Sequence, residues 1–421
     1  MAVKPELLVP LNDWKTLAPK LKVLDNANSV YFGIQSKFSM RAHAGNFKLE
    51  DIPPLVRHVH DHGDFLYICT NIVVYSNELK ELRKVLEIAK VCNVDAVICY
   101  DFASIQLAKE LGIKFHISTQ MNVSNVISAQ YFESIGASRI NLARELNLEQ
   151  IKEIINTTSC PIECFVHGAM CTAVSGRCYL SAELMGFSQS HSANRGKCAH
   201  QCRRFYSFIG EDGELLDFEP STGRFFNAKD LCMIEYMDFL IDSGISAFKI
   251  EGRMRDPLYI SETTKCYREA IDSIQMNSYT REKKQDWIHR LMKVYNRGFH
   301  TGFYFSPPDP NDIELRAKGN TSLWKRKMVG RIIQFRAEDS QAIIDLSSGS
   351  LQKGDTIIIQ DDSGFYSFQE IYTILVNGMP VHKTDHASAK SHILASISTE
   401  EVLPIHSKVF KIHQVQDPIH D

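Results

Sequence analysis

The sequence predicts a (β/α)8 barrel of the TIM type, with a long cysteine-rich insertion after the seventh strand and a small antiparallel β-barrel domain at the C-terminus. Two observations carry this prediction. Short apolar runs alternate eight times with amphipathic segments of helical length, which is the pattern of a parallel barrel. From about Val329 the pattern changes to short alternating strands separated by Gly, Asp and Ser, which is typical of a small antiparallel domain.

The eight apolar runs are the predicted barrel strands. They comprise residues 6–10, 29–33, 65–71, 95–100, 114–118, 139–143, 161–167 and 247–251. Between them, segments such as NELKELRKVLEIAKVC and NLEQIKEIINTT repeat apolar residues at three- and four-residue spacing, as one face of a helix does. A doubly wound open sheet is the competing fold, but it usually carries a glycine-rich phosphate-binding turn after its first strand, and VPLNDW has none.

The length of 421 residues allows one large domain and a smaller one. We expect residues 1–275 to form the barrel, which carries the cysteine loop at residues 168–232. Residues 276–327 are predicted as a helical connector that ends in a proline-rich turn, and residues 328–421 as the C-terminal β-barrel domain.

Composition excludes some classes of protein. With 47 Lys and Arg against 50 Asp and Glu, the net charge of −3 gives no overall attraction to nucleic acid or membrane, so any such partner must meet a local patch. Glu6 and Asp13 interrupt the N-terminus before a signal-peptide core develops, and no run of about 18 apolar residues is present. We therefore expect a cytoplasmic protein without a membrane span, in which the eleven cysteines do not form a disulfide framework.

Four of these cysteines, Cys171, Cys178, Cys198 and Cys202, lie in one long segment with little helical or strand period. Such segments are uncommon in a compact domain unless they are functional, and this one follows a barrel strand at the end where barrel enzymes place their active sites. The spacings C-x6-C and C-x3-C differ from the C-x(2–4)-C pairs of most zinc sites, whereas an iron–sulfur cluster tolerates irregular spacing. Structural zinc and unligated thiols remain alternatives.

The segments IECFVHGAMCTAVSGRCYLS, ANRGKCAHQCRRFY, NAKDLC and FKIEGRMR resemble the collagenase-like peptidase family U-32. VYFGIQSKFSMRAHAGNF, ISTQMNVSN and INLARELNLEQI also fall where that family has corresponding segments, so the resemblance covers almost the whole chain. The opening LLVPLNDWKTL departs from the family pattern because it lacks the glycine of the first strand-to-helix turn.

The resemblance implies an oxygen-independent hydroxylase that carries a 4Fe-4S cluster. Among the family's branches, the length and the C-terminal β domain resemble the branch that forms 5-hydroxyuridine at the wobble position of tRNA, with prephenate as the hydroxyl donor. By the same resemblance the cluster ligands are Cys171, Cys178, Cys198 and Cys202, with Cys232 in reserve for the fourth position.

Polar residues at the predicted strand ends are expected to converge on the barrel mouth. His167 and Glu251 are the candidates for proton transfer. Since arginine binds carboxylates through paired hydrogen bonds, the donor's two carboxylates point to arginines as the substrate-binding residues. The substrate-binding candidates are Arg41, Gln120, Arg144 and Arg253. Salt-bridged pairs at the rim of the barrel are the alternative interpretation.

Two basic segments are candidates for RNA contact. Arg203 and Arg204 lie in the cysteine loop beside Phe205 and Tyr206, a mixture that suits phosphate binding and base stacking. Lys325, Arg326 and Lys327 lie at the entry to the C-terminal domain. A solvated charged face is the alternative for both segments.

Two other functions remain open. The family name implies a peptidase, for which Cys164 and His167 have the right residue types but project to opposite faces of an extended strand. A scaffold in which the four thiolates hold zinc and the protein binds RNA or another partner is the second alternative.

Overall fold

The structure is a computed structural model that describes residues 4–35, 38–187, 189–216, 222–317, 319–362 and 364–415. The chain divides into two compact units. The first contains the chain up to Asn12 together with Val23–Thr321, and the second contains Asp13–Lys22 together with the chain from Ser322 onward. No helix in the described part of the chain has the length and apolar content needed to cross a bilayer.

The first unit is built on a closed barrel. The strands of this unit are β1 (Glu6–Pro10), β2 (Ser29–Phe32), β3 (Phe65–Thr70), β4 (Ala96–Cys99), β5 (Phe115–Ile117), β6 (Arg139–Asn141), β7 (Ile162–Ala169), β8 (Tyr206–Ser207), β9 (Thr222–Gly223), β10 (Asp230–Cys232), β11 (Ala247–Ile250) and β12 (Phe299–His300). Strands β1 to β7 pair in order and in parallel, and β11 pairs in parallel with both β7 and β1, which closes the ring. The predicted eight-stranded parallel barrel is confirmed, and each predicted barrel strand is present.

Helices follow the barrel strands. They are α1 (Val23–Asn26), α2 (Ile52–His62), α3 (Leu79–Val91), α4 (Phe102–Glu110), α5 (Val126–Ser134), α6 (Leu148–Thr157), α7 (Leu180–Glu183), α8 (Met237–Asp242), α9 (Pro257–Gln275) and α10 (Arg281–Lys293). In α3 the buried residues are Leu82, Val85, Leu86 and Ala89, so one apolar face of the helix is covered. The N-cap of α6 is Asn147, whose side chain accepts a hydrogen bond from the backbone N–H of Gln150.

The cysteine loop begins where β7 ends. At Gly168 the backbone has φ +109°, and a Cβ there would lie 2.4 Å from the carbonyl oxygen of Glu251, so the strand can turn toward β11 only with glycine. The loop contains α7, short 3-10 helices and the two-stranded ribbon of β8 and β9. It returns through β10, which pairs antiparallel with the end of β7, and β12 then pairs in parallel with β10. Both ends of the loop are therefore tied to the same barrel strand.

The second unit is an antiparallel sheet. Its strands are β13 (Trp324–Arg336), β14 (Gln341–Leu346), β15 (Thr356–Gln360), β16 (Tyr366–Glu370), β17 (Ile374–Val376), β18 (Met379–Pro380), β19 (Ile393–Ser398) and β20 (Lys408–Gln414), in the order β16-β15-β20-β13-β14-β19-β17-β18. Ile332, Ile344, Ile357 and Ile397 lie in its core. This confirms the predicted separate antiparallel region.

Two segments fall in different units from those that the pattern indicated. Asp13–Lys22, which the sequence places in the barrel domain, belongs to the second unit, where Lys20 Nζ lies 2.8 Å from Glu401 Oε1. Helix α10, part of the predicted connector, belongs to the barrel unit, where Arg290 Nη1 lies 2.6 Å from Glu269 Oε2 of α9.

Candidate active site

A cavity of about 310 Å³ lies at the C-terminal ends of the barrel strands. Four cysteines, three arginines, a glutamate and a glutamine predicted from the sequence line it together. These residues are Cys171, Cys178, Cys198, Cys202, Arg41, Arg144, Arg253, Glu251 and Gln120. The structure thus places the predicted thiol ligands and the predicted donor-binding residues at one site.

The cysteine loop is held over the barrel by contacts with the loops that follow β2 and β3. Arg195 forms a two-pronged ion pair with Glu78, in which its Nη1 lies 2.7 Å from Oε2. Ala42 N donates to the carbonyl oxygen of Gly196 at 2.9 Å. Within the loop, Cys178 N donates to Asn194 Oδ1 at 2.8 Å. These contacts bring residues distant in sequence to the mouth of the barrel.

The four thiols are free and lie close enough to interact electrostatically. Cys171 is exposed and the other three are half-buried. Burial raises the pKa of Cys202, and the thiol charges of Cys171, Cys178 and Cys198 raise it further, against the opposing effect of Arg203. Thiolates crowded in this way repel one another unless they bind a positively charged metal group.

The thiols are not arranged around a single ion. Structural zinc takes four ligands, with Zn–S distances of about 2.3 Å. Among the described residues, no three His, Cys, Asp or Glu side chains are placed to share one metal ion. A 4Fe-4S cluster takes each thiolate on a different iron, so four thiols that do not converge on one ion are compatible with such a cluster.

Of the two candidates for the fourth ligand, Cys202 lines the cavity and Cys232 does not. Cys232 lies in β10, where it is buried, and its Sγ is 3.8 Å from the Tyr267 hydroxyl oxygen. Burial raises its pKa to about 12.

Arg41 and Glu251 form an ion pair at the cavity. Arg41 Nε lies 3.1 Å from Glu251 Oε1, and both side chains are largely buried. Burial favours the neutral form of Glu251, but the charges of Arg41, Arg144 and Arg253 outweigh this effect and lower its pKa. Three arginines therefore surround one carboxylate, which leaves an excess of positive charge for an anionic ligand.

Arg253 holds the loop that carries Arg41. Its Nη1 donates to Met40 O at 2.7 Å, and its Nη2 donates to Asn46 Oδ1. Asn46 Nδ2 in turn donates to Arg41 O at 3.2 Å. Arg41 itself has φ +64°, a left-handed conformation that a non-glycine residue adopts only under such constraint. The geometry indicates that Arg253 orients Arg41 as well as lining the cavity.

Arg144 and Gln120 present unsatisfied polar atoms. Arg144 lies over the Phe165 ring at 3.8 Å from its centroid, and its Nη1 donates to Ala169 O at 2.7 Å. Its Nε is buried without a hydrogen-bond partner, and so is Gln120 Oε1. Because buried polar groups are normally paired, these atoms fit contact with a bound ligand.

A buried ionic network lies beside the cavity, which Lys249 lines. Glu163 Oε1 lies 2.9 Å from Lys249 Nζ, and Arg139 Nη1 lies 3.4 Å from Glu163 Oε2. Burial alone would raise the pKa of Glu163, but Lys249 and Arg139 bring it to about 2. Lys249, which lines the cavity, was missed; it lies two residues before Glu251 on the last strand, so strand alternation could have placed both on the inner face.

His167 is not among the cavity-lining residues. It packs against Tyr259 and Tyr267 of α9, with its Nδ1 3.3 Å from the Tyr267 hydroxyl, and burial lowers its pKa to about 4. The sequence places His167 on the same face as Glu163, but the pairing of β7 with β11 skips Val166. This bulge reverses the alternation and turns His167 away from the cavity, where it cannot act on a ligand directly.

The predicted RNA-binding residues occupy different environments. Arg203 points inward, where its Nη1 donates to Ala228 O at 2.8 Å and its Nη2 donates to Met170 O. Arg204 and Phe205 are exposed, and the Arg224 guanidinium lies 5.9 Å from the Phe205 ring centroid. In the second unit, Lys325, Arg326 and Lys327 lie along β13, and the last two are exposed.

Cys164 and His167, which have the residue types that the peptidase alternative needs, do not meet in a site, as expected from their spacing on the strand. Cys164 is buried and borders a small void of about 10 Å³ lined also by Phe165 and Tyr304. Burial raises its pKa well above the usual range, which disfavours a thiolate nucleophile. No hydrogen bond joins the two side chains in the part of the chain that the structure describes.

Comparison with known proteins places this site in context. The model of peptidase family U32 matches residues 14–314. An uncharacterized protease of Methanocaldococcus jannaschii is 41% identical over 85% of this chain and 87% of its own length. A collagenase of Porphyromonas gingivalis is 34% identical over 90% of this chain and 92% of its own, and tRNA hydroxylation protein P1 of Bacillus subtilis is 30% identical over 84% and 83%.

Proposed function

This chain belongs to peptidase family U32, and from that premise we propose that it is an iron–sulfur-dependent, oxygen-independent RNA hydroxylase. We propose further that it forms 5-hydroxyuridine at the wobble position of tRNA and takes the hydroxyl group from prephenate. The observation that carries the proposal is one cavity lined by four cysteines of a single loop and by three arginines. The relative named for tRNA hydroxylation supports the choice of RNA as substrate.

Cys171, Cys178, Cys198 and Cys202 would hold the 4Fe-4S cluster. They come from one loop and line one cavity without forming a single-ion site among the described residues. Cys69 also lines the cavity, but it lies on barrel strand β3, apart from the loop that supplies the other four thiols. When bound, such a cluster supplies electron transfer or polarisation next to the donor.

The donor would bind in the same cavity through its carboxylates. Arg144, which Phe165 orients, and Gln120 both line the cavity and are the candidates to bind the carboxylate and hydroxyl groups of the bound donor. Arg41, braced by Glu251 and by the loop that Arg253 holds, adds a second positive group. Glu251, which stays ionised at neutral pH because of these arginines, is the acceptor best placed to take a proton inside the cavity.

The RNA would meet the exposed side of the cysteine loop. Arg204 offers positive charge, and Phe226 lines the cavity while Phe205 is exposed on the same loop. Aromatic and guanidinium groups of this kind stack on unpaired bases. The basic run at Lys325–Lys327 of β13 would add phosphate contacts from the second unit.

A peptidase is the second candidate, because a relative at 34% identity is named a collagenase. The structure does not provide an accessible nucleophile and base for this activity, since Cys164 is buried and His167 contacts Tyr267. Loss of gelatin cleavage in Cys164→Ala, with metal content unchanged, would revive this candidate.

The first test is metal analysis of anaerobically purified protein. We expect about four irons and four acid-labile sulfides per chain, with a broad visible absorption, and loss of all three signals in Cys171→Ala/Cys178→Ala. Cys92→Ala is the matched control, because Cys92 lies at the end of α3 outside the cavity. Stoichiometric zinc without iron would instead favour the zinc-binding scaffold and contradict the hydroxylase proposal.

A further inference from the structure

A second group of charged side chains lies next to the cysteine loop outside the cavity. Arg297 is only 4% exposed and its Nη2 is ion-paired with Oδ1 of Asp230, itself 2% exposed. Arg203 approaches the same region from the loop, and Arg255 stacks on Tyr295 with 3.6 Å between its guanidinium and the ring centroid. We call Arg203, Arg255 and Arg297 the arginine cluster.

The arginine cluster carries more positive charge than its carboxylate neutralises. All three arginines act electrostatically on Asp230, and Asp230 acts in turn on both Arg203 and Arg297. The Nε atoms of Arg203 and Arg297 are buried without a hydrogen-bond partner. Burying more guanidinium groups than carboxylates is costly, so the arrangement fits a further negative charge nearby.

The cysteines are the nearest source of that charge. Arg203 follows Cys202 directly, and its Nη2 donates to the carbonyl oxygen of Met170, the residue before Cys171. Asp230 pairs with Ala169 in the β7–β10 register, two residues before Cys171. The charge of Cys171 also acts on both Arg203 and Arg297. Arg203 and Arg297 therefore lie within electrostatic reach of the first cysteine of the loop.

Other anions fit this position less well. The arginine cluster does not line the cavity, so the carboxylates of a donor bound there are not its natural partner. Arg297 and the Nε of Arg203 are buried, which keeps an RNA phosphate at the surface from reaching them. A cluster bound by four thiolates carries net negative charge at the thiols themselves.

We propose that the arginine cluster compensates the negative charge of the thiolate-bound iron–sulfur cluster and raises its reduction potential. This proposal rests on the proposed function, because it requires that the protein binds an iron–sulfur cluster. One-electron reduction by an external reductant adds one negative charge to the group, and fixed positive charges nearby stabilise that reduced form. The arginine cluster then has a tuning role, apart from binding donor or RNA.

The test varies charge at the Arg297–Asp230 pair, in which the two side chains bind each other. The variants are Arg297→Gln, Asp230→Asn, Arg297→Gln/Asp230→Asn and Arg297→Lys. The midpoint potential is followed by visible absorbance during anaerobic dithionite titration, with iron and sulfide measured on the same samples. Arg83→Gln is the control, because Arg83 pairs with Glu110 on the barrel surface.

We expect the midpoint potential to shift in the direction set by the change in net charge of each variant. Arg297→Gln should lower the potential and Asp230→Asn should raise it, each by about a tenfold change in the ratio of reduced to oxidised protein, or about 59 mV for one electron. The double variant and Arg297→Lys should lie near wild type, because each preserves the net charge.

Three results would overturn the proposal in different ways. Unchanged potentials in all variants with full iron content would reject the tuning role and leave the proposed function standing. Loss of iron in every variant, whatever its charge, would show that the pair is only structural. Wild-type protein without iron would overturn the proposed function and this inference together.

Discussion

Cys202 and Cys232 are two thiols of the same loop with different surroundings. Cys202 lines the cavity, whereas Cys232 is buried against Tyr267. We predict that Cys202→Ser loses most of its iron and that Cys232→Ser retains about four irons per chain, measured after anaerobic purification. The opposite outcome, with iron lost only from Cys232→Ser, would assign the fourth ligand to Cys232.

Arg144 carries the most direct prediction about the donor. Its guanidinium lies over Phe165 with Nε unpartnered, a geometry that lysine cannot reproduce. Arg144→Lys should raise KM for the donor about tenfold, which corresponds to about 1.4 kcal/mol of binding, with a smaller change in kcat. The exposed Arg177→Lys serves as control. An unchanged KM in Arg144→Lys would remove Arg144 from the donor site.

The sequence predicted the position of some site residues but not of others. Arg41, Arg144, Gln120 and Glu251 could be assigned to the cavity because barrel enzymes use the residues at the ends of strands. His167 could not be placed, since the skipped pairing at Val166 leaves no mark in an apolar strand. Arg203 was predicted from its charge, but its inward orientation depends on carbonyl acceptors at Met170 and Ala228 that only the fold brings near.

At the scale of elements, the contact between the cysteine loop and residues 38–46 depends on Gly196. Its φ is +77°, and a Cβ there would lie 2.4 Å from the carbonyl oxygen of Ser39. Gly196→Ala should therefore destabilise the barrel unit by more than the ~1 kcal/mol of unfavourable φ alone, and lower iron retention. Thermal unfolding and iron content measure both effects.

Gly186→Ala is the matched control for that prediction. Gly186 has a similar φ of +73°, but nothing lies within 4 Å of an added Cβ. The Gly186→Ala protein should lose only the stability that the unfavourable φ costs, and it should retain its iron. Equal effects of the two substitutions would mean that the contact between the loops is unimportant.

Elements of the barrel were predictable because their period is regular, and all eight strands follow from alternating apolar runs. The inside of the cysteine loop was not predictable. Its 3-10 helices are three residues long, too short for a period, and β10 forms by pairing with two segments distant in sequence, the end of β7 and β12. Asp13–Lys22 joins the second unit through contacts with residues distant in sequence, which no local pattern records.

At the scale of the whole molecule, buried histidines make stability depend on pH. Burial lowers the pKa of His116 to about 3 and of His167 to about 4, whereas unfolded histidine titrates near about 6.5. Below about pH 6.5 the unfolded chain therefore binds protons that the folded chain does not. The free energy of unfolding should fall with decreasing pH, by about 1.4 kcal/mol per pH unit for each histidine.

Urea denaturation between about pH 8 and pH 5 checks this dependence. His167→Gln should reduce the slope of the unfolding free energy against pH by the contribution of about one proton, because glutamine does not titrate. His58→Gln, at an exposed position on α2, is the matched control. A wild-type stability independent of pH in this range would contradict the assignment of neutral buried histidines.

We propose that the basic run Lys325–Lys327 of β13 contributes to tRNA binding. Lys325→Ala/Arg326→Ala/Lys327→Ala should weaken tRNA binding. It should also reduce the slope of the logarithm of the binding constant against the logarithm of salt concentration, by about one unit for each phosphate that is no longer bound. Lys353→Ala/Lys383→Ala/Lys390→Ala removes the same number of positive charges from exposed positions elsewhere in the second unit. Filter binding at several salt concentrations measures both, and equal weakening would point to a nonspecific effect of net charge.

We propose that the protein hydroxylates RNA at a site assembled around four cysteines. The most direct test is mass spectrometry of tRNA nucleosides from a strain that lacks the protein and from the same strain supplied with wild-type chain or Cys171→Ser. We predict that 5-hydroxyuridine is absent from the deletion strain, restored by wild type and not restored by Cys171→Ser. Equal 5-hydroxyuridine in all three samples would contradict the claim, and loss of a hydroxylated nucleoside from ribosomal RNA alone would keep the chemistry but replace the substrate.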